Sequence, residues 1–138
     1  MEEKLLIKDL CKLLDMNPKT VRFYEEIGVL PKAARNELNY RVYTKNDLKR
    51  LSFVKKARTL GLSIENIKNI IRIREEGKYP HDKVIDLLEA ESKDLEQKIK
   101  DMIMFKEKLD KCIINFKEHI DVCKTGDICG LIEILFDQ

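Results

Sequence analysis

The sequence predicts a mostly α-helical protein, in which a winged helix-turn-helix domain is followed by one long coiled-coil dimerisation helix. Three observations favour this fold. Of the 138 residues, 38% are charged while only five are Gly and three are Pro, which suits elongated helices with few turns. Two short helical patterns separated by a tight turn lie near the N-terminus. Beyond residue 81, apolar residues recur every seven positions.

The net charge of +2 conceals two halves of opposite sign. Residues 1–80 hold 18 Lys and Arg against 11 Asp and Glu, whereas residues 81–138 hold 9 Lys against 14 Asp and Glu. The first half therefore has the electrostatics of a protein that binds a polyanion. No apolar run approaches the ~20 residues of a membrane span, and the N-terminus lacks the features of a signal peptide. We therefore expect no membrane contact and a cytoplasmic protein with reduced thiols.

The first two helices are predicted from apolar spacing and from capping residues. Four apolar residues at helical spacing define the first helix: Ile7, Leu10, Cys11 and Leu14. Asn17 caps the second helix, with Pro18 at its first position. Because only a short turn separates the two, the pair is predicted to form a helix-turn-helix.

The next segment predicts a β-ribbon wing and two more helices. Alternation over residues 39–43 favours a strand, and residues 32–38 are predicted to be the loop that turns the chain back. Thr44, with Asp47 three residues later, caps a third helix, and Ser63 caps a fourth.

A coiled-coil helix is predicted over residues 81–120. Ten of the twelve seam positions are apolar, a pattern sustained for more than five heptads. The a positions are Ile85, Ser92, Ile99, Lys106, Ile113 and Ile120, and the d positions are Leu88, Leu95, Met102, Leu109, Phe116 and Cys123. Because a lone helix cannot cover this stripe, we expect a homodimer rather than a helix folded back on its own domain. Residues 1–76 are then the winged helix-turn-helix domain, which carries the excess of positive charge, and residues 121–138 a loop with a short helical tail.

Four motifs in register resemble the MerR family of transcription regulators. They are residues 20–30 (TVRFYEEIGVL), 39–43 (NYRVY), 47–51 (DLKRL) and 57–64 (ARTLGLSI). The resemblance implies a winged helix-turn-helix dimer with an antiparallel coiled coil, bound to a near-palindromic operator inside promoter DNA. It further implies activation by distortion of the DNA, with RNA polymerase as an indirect partner. Double-stranded promoter DNA and a second copy of the chain are thus the expected partners.

Eight residues are predicted to contact DNA. Lys19, Thr20 and Arg22 lie on the first turns of the second helix, the part that enters a major groove, where Arg suits a phosphate or a guanine edge. The other five are on that helix, on the wing or on the third helix: Tyr24, Arg41, Tyr43, Lys55 and Arg58. For any single cation the alternative is a solvated surface charge, and for the two tyrosines it is an aromatic residue at the edge of the core.

Cys123 and Cys129 bracket a short glycine-containing loop beyond the coiled coil. Metal-sensing relatives in the family hold their ion in a two-cysteine loop at this place, so the resemblance implies a soft metal ion, Cu(I), Zn(II) or similar, as effector. Thiolates are the ligands that such ions prefer. His119, four residues before Cys123, and His81, at the start of the long helix, are weaker candidates for further ligands.

Other interpretations of the cysteines and of the chain stay open at this point. The two cysteines are alternatively buried apolar residues, or a pair that senses oxidants or electrophiles. An organic inducer is a further alternative, although family members of that kind usually carry a larger C-terminal domain. A zinc enzyme would need a motif such as HExxH and a general base, which the sequence lacks. A purely structural coiled coil would not explain the basic first half or the wing.

Overall fold

The computed structural model describes residues 3–136, so the outermost residues of the predicted domains, 1–2 and 137–138, lie outside it. The chain forms two compact units, one extending to Glu91 and the other beginning at Ser92. In chain order the elements are β1 (Leu5–Leu6), α1 (Ile7–Leu14), α2 (Pro18–Glu26), β2 (Ala34–Arg35), β3 (Arg41–Tyr43), α3 (Lys45–Thr59), α4 (Ile64–Glu75), α5 (His81–Glu118), a 3-10 helix (Ile120–Thr125) and a π-helix (Leu131–Leu135).

Helices α2, α3 and α4 begin directly after the predicted capping residues. The Asn17 side-chain oxygen accepts a hydrogen bond from the Lys19 N–H at 2.8 Å. Thr44 and Asp47 form a reciprocal capping box, with the two hydrogen bonds at 3.1 and 2.9 Å. The Ser63 hydroxyl oxygen caps α4 by accepting a single hydrogen bond from the Asn66 N–H at 3.1 Å. Because these contacts join residues two or three positions apart, the sequence predicted all three starts.

The wing is part of a three-stranded antiparallel sheet in the order β1-β3-β2. Strand β1, which pairs Leu5 with Tyr43, was not predicted, and β2 lies within the segment predicted as a loop. The turn of the wing spans residues 36–40, where Asn39 has a φ of +66°. Asn tolerates this left-handed conformation better than most residues, which is why no glycine is needed there.

One apolar core joins the elements of the first unit. Its fully buried side chains come from both helices of the helix-turn-helix, from the wing and from α3 and α4; they include Leu10, Val21, Tyr43, Leu51, Val54 and Ile67. The first turns of α5 pack against the same core through Val84, Leu87 and Leu88. Helix α2, which is the predicted recognition helix, and the wing are therefore positioned by a shared apolar core as well as by surface contacts.

The second unit contains most of α5 and the two short helices that follow it. Helix α5 ends at Glu118, two residues before the predicted boundary, and the chain continues as the 3-10 helix. The predicted helical tail is present as the π-helix at Leu131–Leu135. Within residues 3–136, no helix combines the length and the apolar character that a membrane crossing requires.

Candidate nucleic-acid interface and cysteine loop

Helix α2 separates the residues predicted for DNA contact from those that form the core. Lys19 and Arg22 are exposed and Thr20 is half-buried, whereas Val21 and Tyr24 face the interior. This division follows from the helical period, since Val21 and Tyr24 are three positions apart. The basic end of the helix is thus free to meet a ligand.

A single carboxylate, that of Glu25, connects α2 to the wing. The Glu25 side chain is only 11% exposed. Its Oε1 accepts a hydrogen bond from the Ala33 N–H at 2.9 Å, and its Oε2 accepts one from the Tyr43 hydroxyl at 3.3 Å. The Arg41 Nε lies 3.6 Å from Oε2. One acidic group therefore joins α2 to strand β3 and to the residue that precedes β2.

The two tyrosines predicted for DNA contact are core residues in this conformation. Tyr43 has no exposed surface and Tyr24 is 8% exposed. Burial, together with the negative charge of Glu25 and the hydrogen bond to it, raises the pKa of Tyr43 to about 12, so the hydroxyl remains a donor. Both tyrosines are therefore explained by packing in the core, and neither is exposed enough in this conformation to contact a DNA backbone.

A basic groove runs between the start of α1, the helix α2 and the wing. It has a volume of about 480 Å³ and is lined by Leu6, Ile7, Lys8, Arg22, Arg35, Asn39, Tyr40 and Arg41. Only Arg22 and Arg41 of this set were predicted. Arg35 pairs with Arg41 across the wing, so the correct hairpin register would have identified it from the sequence. Four cations and the exposed Tyr40 ring suit a groove that binds phosphates.

The two predicted cations on α3 also make internal contacts. The Lys55 Nζ donates to the carbonyl oxygens of Leu14 and Asp15, at the end of α1. Arg58 donates to the Leu62 carbonyl oxygen at 3.0 Å. Both residues remain exposed, but part of their hydrogen-bonding capacity stabilises turns of the domain.

The cysteine loop brings its two thiols together. The Sγ atoms of Cys123 and Cys129 are 3.5 Å apart, and both cysteines are free and half-buried. The loop closes tightly because it contains glycines: a Cβ on Gly130 would overlap the Val122 carbonyl oxygen. A Cβ on Gly126 would lie 2.6 Å from the Gly130 nitrogen. The close approach of the thiols thus depends on two positions that admit no side chain.

The two thiols of the loop differ in acidity. The hydrogen bond from Cys123 to Cys129 lowers the pKa of Cys129, and the backbone N–H groups of Leu131 and Ile132 lower it further. The same thiol–thiol hydrogen bond raises the pKa of Cys123. Cys129 is therefore the first of the pair to become a thiolate. Burial raises the pKa of Cys11, which packs beside the core of the first unit.

A residue that the sequence analysis did not select, Glu133, completes the loop. Its Oε2 accepts hydrogen bonds from the Cys129 N–H at 2.9 Å and from the Ile128 N–H at 3.2 Å. The carboxylate thus binds two consecutive backbone amides, and the second of them belongs to Cys129. An acid four residues after a cysteine was the only sequence signal for this contact.

The donor set fits part of a soft-metal site. Two adjacent thiols are the ligands that soft ions prefer, but in the described part of the chain no third His, Cys, Asp or Glu joins them as a ligand group.

Helix α5 ends before His119, whose Nδ1 lies 2.9 Å from the Asn115 carbonyl oxygen, so this ring does not share a helix face with Cys123. His81 belongs to the first unit, where its Nε2 lies 3.6 Å from Asp82. Cys112 is a half-buried residue of α5.

Comparison with known families gives two matches that together span residues 5–112. A family model described as the MerR HTH family regulatory protein matches residues 5–73, and one described as MerR, DNA binding, matches residues 48–112. These ranges include the four motifs on which the sequence resemblance was based.

Individual relatives match along nearly the whole chain. An uncharacterized HTH-type transcriptional regulator of Synechocystis sp. is 35% identical over 136 residues, which cover 98% of this chain and 99% of that protein. The mercuric resistance operon regulatory protein of Bacillus cereus is 26% identical over 135 residues, with coverage of 98% and 99%. The crystal structure of the transcription regulator PbrR691 from Ralstonia metallidurans CH34 in complex with lead(II) has a TM-score of 0.68 and 27% identity, covering 95% of this chain and 98% of that chain.

The unequal acidities predict an order of thiol alkylation. Under anaerobic conditions near neutral pH, iodoacetamide should modify Cys129 before Cys123 or Cys11, because of these three thiols only Cys129 has a lowered pKa and the thiolate is the nucleophile. Raising the pH should narrow the difference in rate, since Cys123 and Cys11 then ionise as well. Mass spectrometry of peptides after partial labelling measures the order. Prior labelling of Cys123 or Cys11 would contradict the assignment.

Proposed function

The chain belongs to the MerR family of transcription regulators, and on that premise we propose that it is a homodimeric promoter-binding switch whose effector is a soft metal ion. Family membership makes it a DNA-binding transcription regulator and not an enzyme. The proposal for the effector is carried by one observation, the two free thiols that lie 3.5 Å apart in a glycine-closed loop. Such a regulator acts in the cytoplasm, where its thiols stay reduced.

Operator binding is assigned to the basic end of α2 and to the basic groove. Lys19, Thr20 and Arg22 enter the major groove, and Arg22 is positioned both for a base edge and for the phosphates beside it. Arg35 and Arg41 on the wing bind the flanking backbone. Two such modules in a symmetric dimer match the two half-sites of a near-palindromic operator.

Dimerisation is supported by the exposed apolar stripe of α5. Its seam residues are exposed in the single chain, Met102 at 72% and Ile99 at 58%, and they continue through Leu95, Leu109 and Ile113. A contiguous apolar stripe of this length is rare on a monomer and marks an interface. An antiparallel second copy supplies the same stripe in return, because the heptad pattern is the same from either end.

The metal is proposed to act through the loop at the end of the dimerisation helix. Binding requires both thiols as thiolates, so it releases protons and fixes the loop. A ligand changes DNA geometry only by binding one conformation of the dimer more tightly than another. The bound conformation would bend and untwist the promoter, which RNA polymerase then recognises. His119 and His81 remain secondary candidates for additional ligands.

The thiol pair also supports a second candidate effector, an oxidant. Two sulfurs at 3.5 Å need only close to about 2.05 Å to form a disulfide. The DNA-binding part of the proposal is the same in both cases, and the effectors differ in whether an ion or a covalent bond joins Cys123 to Cys129.

Substitution of Arg22 tests the DNA interface. Arg22→Ala should weaken binding to the natural promoter by about 1–3 kcal/mol, because it removes a base or phosphate contact of the recognition helix. The parent's logarithm of affinity should fall nearly linearly with the logarithm of salt concentration. Gel-shift titrations measure both effects, and Lys111→Ala, on α5, is the matched control that should bind normally. Equal affinity for promoter and unrelated DNA at every salt concentration would contradict specific operator binding.

Substitution of Leu109 tests the dimer. Leu109→Asp places an unpaired charge in the apolar seam, which is costly to bury, so the dimer should dissociate at concentrations where the parent holds together. Light scattering should give the parent a mass of about twice 16.3 kDa. Lys111→Asp changes the charge on the outward face of the same helix and should leave the dimer intact. A parent that is monomeric at micromolar concentration would exclude the proposed homodimer.

Substitution of the loop cysteines tests the effector. Cys123→Ser and Cys129→Ser should each abolish metal-induced transcription and leave operator affinity within about threefold of the parent, since the thiols lie outside the DNA-binding unit. Cys11→Ser is the control and should respond normally. Transcription assays with Cd(II), Ag(I) and peroxide, beside gel shifts, measure these effects. A parent induced by peroxide alone would favour the oxidant, and induction of both loop variants by metal would place the metal site elsewhere.

A further inference from the structure

Ile128 is the most exposed large apolar residue in the described part of the chain, and it lies inside the cysteine loop. It is 91% exposed. Its backbone is nevertheless fixed, because the Ile128 N–H donates to the Glu133 Oε2 at 3.2 Å and the Cys129 N–H donates to the same atom at 2.9 Å. A side chain that is held out by fixed backbone loses little conformational entropy when a partner covers it.

The first unit contains an apolar pocket of about 310 Å³ at the point where α5 begins. Its apolar walls are formed by Phe53 on α3, by Ile70 and Ile71 on α4, and by Pro80 directly before α5. Phe53 is 38% exposed, so this wall is open to solvent in the single chain. Because α3 and α4 share the core that positions the helix-turn-helix, a group bound in this pocket would contact the unit that carries the basic groove.

The charge around this pocket is opposite to the charge beside the exposed isoleucine. Lys49 and Arg74 line the pocket, and both are exposed. Glu75 also lines it, but its carboxylate is already ion-paired within the first unit. On the loop, Asp127 directly precedes the isoleucine, whereas Lys124, the other charged residue between the two cysteines, is four positions from it. An apolar side chain with an acidic neighbour thus matches an apolar pocket with a cationic rim.

The heptad pattern of α5 brings the loop of one copy to the pocket of the other. In an antiparallel pair, one register gives every seam residue within α5 a seam partner, and it sets Ile85 opposite the partner's Phe116. In this register the partner's Ile120 lies opposite His81, the residue that follows Pro80. The partner's cysteine loop comes directly after its long helix and therefore emerges beside the pocket.

We propose that, in the homodimer, Ile128 of each copy inserts into the pocket of the other copy's first unit. Asp127 then lies near Lys49 and Arg74 at the rim of that pocket. Each dimer contains two such contacts, and each contact links the conformation of one cysteine loop to helices α3 and α4 of the other copy. The inference rests on the proposed function, because it requires the antiparallel homodimer.

Photo-crosslinking of the full-length protein tests where Ile128 lies. With p-benzoylphenylalanine in place of Ile128, irradiation should produce a covalent dimer. Mass spectrometry of the digested dimer should show links from position 128 to first-unit peptides that contain Phe53 or residues 70–80. The same probe in place of Ile114, which is 60% exposed and lies outside the seam of α5, should not reach these peptides. Links from position 128 only to its own chain, or only to other segments of the partner, would overturn the inference.

A double-mutant cycle tests whether the two sides of the contact act together. Ile128→Ser and Phe53→Ala should each raise the Kd of the dimer by at least about tenfold, because each dimer loses two apolar contacts. The double variant should exceed the weaker single variant by less than about twofold, since both changes remove the same contact. Ile114→Ser and Leu38→Ala, at exposed apolar positions outside the contact, should leave the Kd unchanged. Sedimentation of N-terminally labelled protein at nanomolar concentration measures each Kd.

Circular dichroism establishes that each variant is folded, and Phe53→Leu replaces the alanine variant if that one is not. Effects that multiply in the double variant would overturn the inference, because the two residues would then act independently. An unchanged Kd in Ile128→Ser would also overturn it. A parent that is monomeric would instead refute the homodimer of the proposed function, so the two failures are distinguishable.

Discussion

The relative position of the recognition helix and the wing depends on the carboxylate of Glu25. Burying a carboxylate is costly unless its charge and its lone pairs are satisfied, and here an amide, a hydroxyl and a guanidinium satisfy them. The basic groove is built on this arrangement, because Arg22 lies on the helix and Arg41 lies on the strand that Glu25 joins to it, with Arg35 paired to Arg41 on the neighbouring strand. A buried acidic side chain thus helps to position the cations of the groove that we propose to bind DNA.

The second unit also contains an acidic side chain, Glu133, that holds neighbouring backbone in place. Glu133 binds two backbone amides and so fixes the segment that carries Cys129, while glycines at 126 and 130 leave no space between the parts of the loop. In both units an acidic side chain positions the groups that we propose to bind a ligand, without itself being proposed to bind it. The energetic reason is the same, since charge-assisted hydrogen bonds are stronger than neutral ones.

Contacts between residues that are close in the sequence could be predicted, whereas contacts between residues that are far apart in the sequence could not. The starts of α2, α3 and α4 were correct because a cap bonds to an amide two or three residues away. Strand β1 was missed because Leu5 and Leu6 become a strand only by pairing with β3, far along the chain. The partners of Glu25 and Glu133 are likewise brought together by folding. At Tyr24 the helical spacing from Val21 already indicated the core, although the aromatic hydroxyl suggested a phosphate contact.

Two lysines of the first unit also stabilise the fold itself. Lys55 binds the end of α1, and Lys68 donates to the Ile27 carbonyl oxygen at 2.6 Å, just after α2. A descendant that had lost its regulatory role would still be under selection to keep these lysines, because they support turns of the fold. A positive net charge on this domain is therefore a poor indicator that a related protein still regulates transcription. Substitution of Lys19 and Arg22, whose side chains are exposed to solvent, would be an earlier sign that this role had been lost.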